Sequence, residues 1–149
     1  MGATSPDADY AGDIECLAAW ALLEADPKAQ LVDVRTMAEW NFVGLPDLGS
    51  LGRRVLTVEW QSYPSMAANP DFAAQAGELL AGQGAEADTP VLLLCRSGAR
   101  SRAAAIALTK AGFTKAYNVA GGFEGDLDAQ RRRATRNGWK ASGLPWRQS

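Results

Sequence analysis

The apolar positions of this chain fall into two alternating kinds of segment. Short continuous runs have the look of strands buried on both sides. "LVDV" (Leu31–Val34) and "PVLLLC" (Pro90–Cys95) are the clearest, "KAYNVAGG" (Lys115–Gly122) leads into a glycine turn, and "RVLTVEW" (Arg54–Trp60) holds a further strand. Between them lie longer segments with helical spacing. Asp13 is placed to cap a helix over roughly Ile14–Ala25, with Ile14, Leu17, Ala18, Ala21, Leu22 and Ala25 on one face. Cys16, Trp20 and Leu23 make a second stripe, so this helix is expected to be buried on more than one side, with Cys16 in the core. Pro27 ends that unit. "RTMAEW" predicts a loop entering a helical turn, and the glycines and Pro46 of Phe42–Arg54 predict an irregular crossing. Pro70–Gly84 is a helix with Gly77 inside it, closed by Gly82 and Gly84. Ser101–Gly112 is a helix of strong formers with glycine just past its end.

Alternating strands and helices, with the strands written as continuous apolar runs, indicate an α/β domain built on a parallel sheet covered on both faces. Residues 1–12 are a polar lead-in, and residues 13–149 make one domain with no repeat and no long linker. In such sheets ligands bind beyond the carboxyl ends of the strands. Cys95 stands at one of those ends.

Composition narrows the chemistry. With 149 residues, 47% hydrophobic and 21% charged, the chain suits one globular domain. The net charge of -2 offers no basic field for nucleic acid. No apolar stretch reaches the ~18 residues a membrane span needs, and the N-terminus lacks the apolar core of a signal peptide. A cytoplasmic location is the default expectation. Two cysteines do not make a disulfide framework. Histidine is absent, which excludes a Ser-His-Asp triad, a Cys-His pair and a histidine metal site. Any nucleophile must be activated without imidazole.

"CRSGARS" (Cys95–Ser101) meets that demand. The strand delivers Cys95 to the top of the sheet, and Gly98 permits backbone angles closed to other residues. Loop N–H groups and the N-terminus of the following helix then form a bowl for an anion. A thiolate is such an anion; a free thiol has a pKa of about 8.5, which falls beside cations and helix N-termini. Arg96, Arg100 and Arg102 are candidates to attract an anionic substrate and stabilise the thiolate. The competing reading is a buried strand-end cysteine ringed by solvated arginines.

"CRSGARS" resembles the active-site loop of the rhodanese sulfurtransferases. "LVDVRTMAEW" resembles that family's earlier landmark, a strand ending in Asp-Val-Arg followed by Glu and an aromatic, and "AYNVAGGFEGD" resembles its late strand and Gly-Gly-aromatic segment. The three fall in family order from Leu31 to Asp126. The resemblance implies a five-stranded parallel sheet with helices on both faces and a catalytic Cys95. It implies a substrate loop of Arg96, Ser97, Gly98, Ala99, Arg100 and Ser101. It further implies sulfur transfer through a Cys95 persulfide, from a small anionic donor such as thiosulfate to cyanide, a thiol or a partner protein. No metal or organic cofactor is implied. Asp33 and Arg35 are expected to pair near the site, and Trp60 either lines the pocket rim or packs in the core. The chain departs from the family pattern at "NFVGLPDLGSLGRRVLTVEW", which is longer and lacks the family's Gly-His segment; the crossover and the pocket rim stay open there.

Two other functions compete. Cysteine phosphatases and related arsenate reductases use a similar loop, but the phosphatases carry an arginine six residues after the nucleophile, where this chain has Ser101 between Arg100 and Arg102. A non-catalytic persulfide-sensing or interaction module would keep the same loop. Outside the loop, Arg131–Arg136 is expected to be a solvated face, with a docking patch as the alternative. The tail Asn137–Ser149, with Trp139 and Trp146, is expected to pack back onto the domain.

Overall fold

The computed structural model describes residues 9–62 and 65–148. Along the chain the elements are β1 (Gly12–Glu15), α1 (Cys16–Ala25), β2 (Gln30–Asp33), α2 (Met37–Phe42), β3 (Leu45–Pro46), a 3-10 turn (Gly49–Leu51), β4 (Leu56–Thr57) and the short hairpin β5 (Gln61–Ser62) and β6 (Ala67–Ala68). There follow α3 (Phe72–Gly82), β7 (Val91–Leu94), α4 (Ala99–Lys110), β8 (Ala116–Ala120), α5 (Gly138–Ala141) and β9 (Trp146–Arg147). Five strands form one parallel sheet in the order β1-β8-β7-β2-β4.

Side chains alternate across this sheet, so neighbouring residues feed different cores. Val32, Val91 and Leu93 face Phe72, Ala76 and Leu80 of α3 and Ala104, Ala105 and Leu108 of α4. Leu31, Leu92, Leu94 and Val119 face the other way, onto Cys16, Ala19 and Leu23 of α1 and onto Trp139. This double burial is why β7 reads as an unbroken apolar run, and it encloses even the polar ends of β2, Gln30 and Asp33. Among the described residues, no helix is long and apolar enough to cross a membrane.

The start of the chain differs from its sequence reading. Asp13 caps no helix; it lies within the edge strand β1, opposite Asn118. Pairing begins earlier still, where the Ala11 N–H donates to Ala116 O at 2.9 Å, so the end of the expected lead-in belongs to the sheet; residues 1–8 lie outside the described residues. Helix α1 starts at Cys16, and its buried residues are Cys16, Ala19 and Leu23, two of them from the lesser stripe; Leu17 is 61% exposed. Helical spacing was present in residues 14–25, but a ladder to β8 satisfies the backbone of residues 12–15 instead.

The tail packs back. Trp139 is fully buried, stands edge-on to Trp20 and donates from Nε1 to Pro145 O at 2.7 Å. β9 pairs antiparallel with β3, and Lys140 lies between the rings of Trp146 and Phe123. The arginine run is a largely exposed loop without helix, wound around Asp128, whose carboxylate accepts from the Gln130 and Arg132 N–H groups and the Thr135 hydroxyl.

Candidate functional site

The end of β7 and the start of α4 are joined by four residues, Cys95 to Gly98, and Gly98 makes the junction. Its φ of +122° is open to glycine and strained for other residues. In that conformation the Gly98 N–H donates to Cys95 Sγ at 3.1 Å. Arg102 makes the first helical bond to Gly98 O, so the N–H groups of Ala99, Arg100 and Ser101 have no partner within the helix. The sulfur therefore sits at the positive end of a twelve-residue helix. Ser101 is wholly buried, with Oγ 3.2 Å from Cys95 Sγ and 2.6 Å from Asn118 Oδ1.

Cys95 is 1% exposed and lies in the wall of an open pocket of about 650 Å³. Arg96 and Ser97 line it from the loop, Ala99 and Arg100 from the start of α4, and Thr36, Glu39 and Phe42 from α2 and its cap. Phe42 is 80% exposed at the mouth.

The three arginines have separate fates. Arg100 is held by Glu39 in a two-pronged pair, Nη1 to Oε1 at 2.7 Å and Nη2 to Oε2 at 2.9 Å. Burial opposes ionisation of Glu39, but the hydrogen bonds and charge of Arg100 outweigh it and hold the carboxyl below its usual range. The same pairing raises Arg100. Arg102 turns away, donating to Tyr10 Oη at 3.2 Å, so the expected third cation is not in the pocket. Arg96 is exposed on the pocket wall, and among the described residues no carboxylate pairs with it.

Behind the loop, Asp33 and Arg35 are fully buried and paired at 2.6 Å, and the Arg35 guanidinium lies 4.3 Å from the centre of the Phe123 ring. The turn after β8 clamps the loop backbone: Phe123 N–H donates to Cys95 O, and the Glu124 and Gly125 N–H groups donate to Arg96 O. A Cβ on Gly122 would stand 2.5 Å from Cys95 O and Arg96 O. Trp60 lines no part of this pocket; it stacks edge-on against Phe72, so of its two readings the packing one holds. Cys16 is buried in the opposite core and unpaired. Burial, with a smaller contribution from Glu15, pushes its thiol up to about 12.

Sequence reasoning singled out neither Glu39 nor Asn118 as site residues. Both lay inside quoted landmarks, and the polar Asn118 interrupting an apolar strand was the available signal. It is 5% exposed, in a β-strand otherwise facing two cores.

A family model described as the STR4 middle domain matches residues 12–149, rather than a model of rhodanese itself. The uncharacterized protein RC0915 of Rickettsia conorii is 35% identical over 128 residues, covering 86% of this chain and 90% of that one. The uncharacterized protein RP600 of Rickettsia prowazekii is 34% identical with the same coverage. The crystal structure of Rv0390 from M. tuberculosis is 51% identical with a TM-score of 0.84, over 94% of this chain and 99% of that one. The polysulfide-sulfur transferase homodimer of Wolinella succinogenes, at 24% identity and a TM-score of 0.55 over 92% and 78%, shares the rhodanese-like fold.

Proposed function

The chain belongs to the STR4 middle-domain family, and from that premise we propose that it is a sulfurtransferase. It moves a sulfane sulfur from a donor such as thiosulfate to cyanide or a thiol, through a persulfide on Cys95. The observation that carries this reading is the sulfur of Cys95 on the pocket wall, accepting from Gly98 N–H at 3.1 Å beneath the unpaired first amides of α4.

The Cys95 thiolate attacks the outer sulfur of the donor. The new Sγ–S bond forms as the donor's S–S bond breaks, and sulfite leaves with the bonding pair. The loop amides of Arg96–Ser101 hold the negative charge of the terminal sulfur. The acceptor nucleophile then takes that sulfur, and Cys95 leaves as thiolate. Arg96 draws anionic donors toward the mouth. The partners are thus a small anionic sulfur donor and a thiol or protein acceptor, in the cytoplasm.

Phosphatase and arsenate chemistry fit less well. Ser101 stands where a cysteine phosphatase carries its clamping arginine, Arg100 is committed to Glu39, and Arg102 faces Tyr10.

Intact-protein mass spectrometry after incubation with thiosulfate tests the proposal. The native chain is expected to gain one sulfur, released by cyanide, and Cys95→Ser to gain none. No gain on a native chain whose Cys95 is free and reduced would overturn it.

A further inference from the structure

Ser101 has one hydroxyl proton and three neighbours to share it: Cys95 Sγ at 3.2 Å, Gly98 O at 3.2 Å and Asn118 Oδ1 at 2.6 Å. A contact that short between a hydroxyl and an amide oxygen needs the proton between them. The orientation of the Asn118 amide is itself fixed. Its Nδ2 donates to Asp13 Oδ1 at 3.0 Å, and an ionised carboxylate only accepts. The strand register places the two residues opposite one another. Asp13 thus turns the amide oxygen toward Ser101, Ser101 gives its proton to Asn118, and the hydroxyl oxygen is left presenting lone pairs to sulfur. Such an oxygen accepts from an S–H and repels a thiolate.

We propose that Asp13 and Asn118 are positioning residues which, through the single proton of Ser101, set how readily Cys95 becomes a thiolate. This deepens the sulfur-transfer reading and rests on Cys95 being its nucleophile. For Ser101 to donate to a thiolate, it must abandon Asn118, or the amide must flip and turn its oxygen on the Asp13 carboxylate. Either change has a cost, so the resting cysteine is restrained although it lies at a helix N-terminus. A restrained thiol is also less open to oxidation.

The other charged groups near the sulfur are Arg96 and Arg100 from its own loop and helix, Glu39 from α2, and the Asp33–Arg35 pair at the end of β2. At the far end, Asp13 meets the Tyr10 hydroxyl, and Arg102 lies near both Asp13 and Asp9. Substituting Asp13 leaves all of the groups near the sulfur in place.

The test is the rate of Cys95 alkylation by iodoacetamide as a function of pH, read by intact mass. In Asp13→Asn the neighbour can donate as well as accept, so by turning its amide from Tyr10 it lets Asn118 flip and Ser101 turn its proton to sulfur. The pH midpoint is expected to fall, and the rate at neutral pH to rise about three- to tenfold. Asp13→Glu restores the slow rate. Asn118→Leu reaches the same end by another route, because Ser101 loses its amide acceptor. In a Ser101→Ala background Asp13→Asn should change nothing, since the rotor is gone. A midpoint unmoved in both Asp13→Asn and Asn118→Leu overturns the proposal, as does an Asp13→Asn shift of equal size with and without Ser101. Alkylation reads the proton and not sulfur transfer. A chain that takes no sulfur from thiosulfate but shows these shifts therefore loses the proposed function and keeps the proton-setting chain.

Discussion

Glu39 does two jobs with one carboxylate. Oε1 accepts from the Thr36 N–H, completing the capping box that starts α2, and both oxygens hold Arg100. The pair neutralises one of the two cations lining the pocket and leaves Arg96 to attract anions. Glu39→Gln keeps an acceptor for the cap and removes the charge. It is expected to raise the rate of persulfide formation at low thiosulfate by about threefold or more, with a steeper loss on adding salt. A fall in that rate would show instead that Glu39 serves to hold Arg100 still. The pair also has a pH signature. Glu39's carboxyl is depressed in the folded chain, so its contribution to stability is present above the unfolded carboxylate pKa and is lost as pH falls through the lower folded value. Thermal melts across the acid range should show that loss in the native chain and less of it in Glu39→Gln.

The Cys95 loop is only as firm as the two segments that press on it. The β8 turn is one. Gly122 has φ +66° and no room for a Cβ against the backbone of Cys95 and Arg96. Gly122→Ala is expected to cost on the order of a few kcal/mol, lowering the thermal midpoint and the sulfur loading together. The tail is the other. Leu144 and the Pro145 carbonyl complete the pocket around Trp139, and Trp146 stands edge-on to Phe123, the residue whose N–H holds Cys95 O. Removing residues 143–149 should cost a similar few kcal/mol and shift Trp139 emission to the red. An unchanged melt with unshifted emission would mean that the tail contributes no packing.

The sheet divides the molecule into two apolar compartments with one cysteine in each. Cys95 belongs to the α3–α4 side and Cys16 to the α1 side. Cys16 has its thiol held at about 12, first by burial, and donates weakly to the carbonyls of Ala120 and Gly122 at 3.7 and 3.5 Å within that core. Native protein should therefore react with a thiol reagent once per chain and denatured protein twice, with no change in native mobility on reduction. Two rapid native reactions would contradict the burial of Cys16.

Much of this architecture could be read from the chain. The continuous apolar run at residues 91–94 and the largely apolar one at 31–34 call for burial on both faces, and with helices between them a parallel α/β sheet supplies it. Gly98 and the cysteine after the run announced the loop, because backbone angles and strand ends are local properties. The helix expected over Ile14–Ala25 starts two residues late, at Cys16 and without Asp13 as its cap, because residues 12–15 satisfy their backbone against a strand more than a hundred residues away. For the same reason no local pattern could pair Arg100 with Glu39, turn Arg102 to Tyr10 or bring Asp13 and Asn118 to the back of Cys95. Those contacts join residues far apart in sequence, and their partners are chosen by the order of strands in the sheet. The place of Cys95 at the head of its loop was thus written in neighbouring residues. The charge around it and the direction of the proton beside it came from which distant segments the fold packs together.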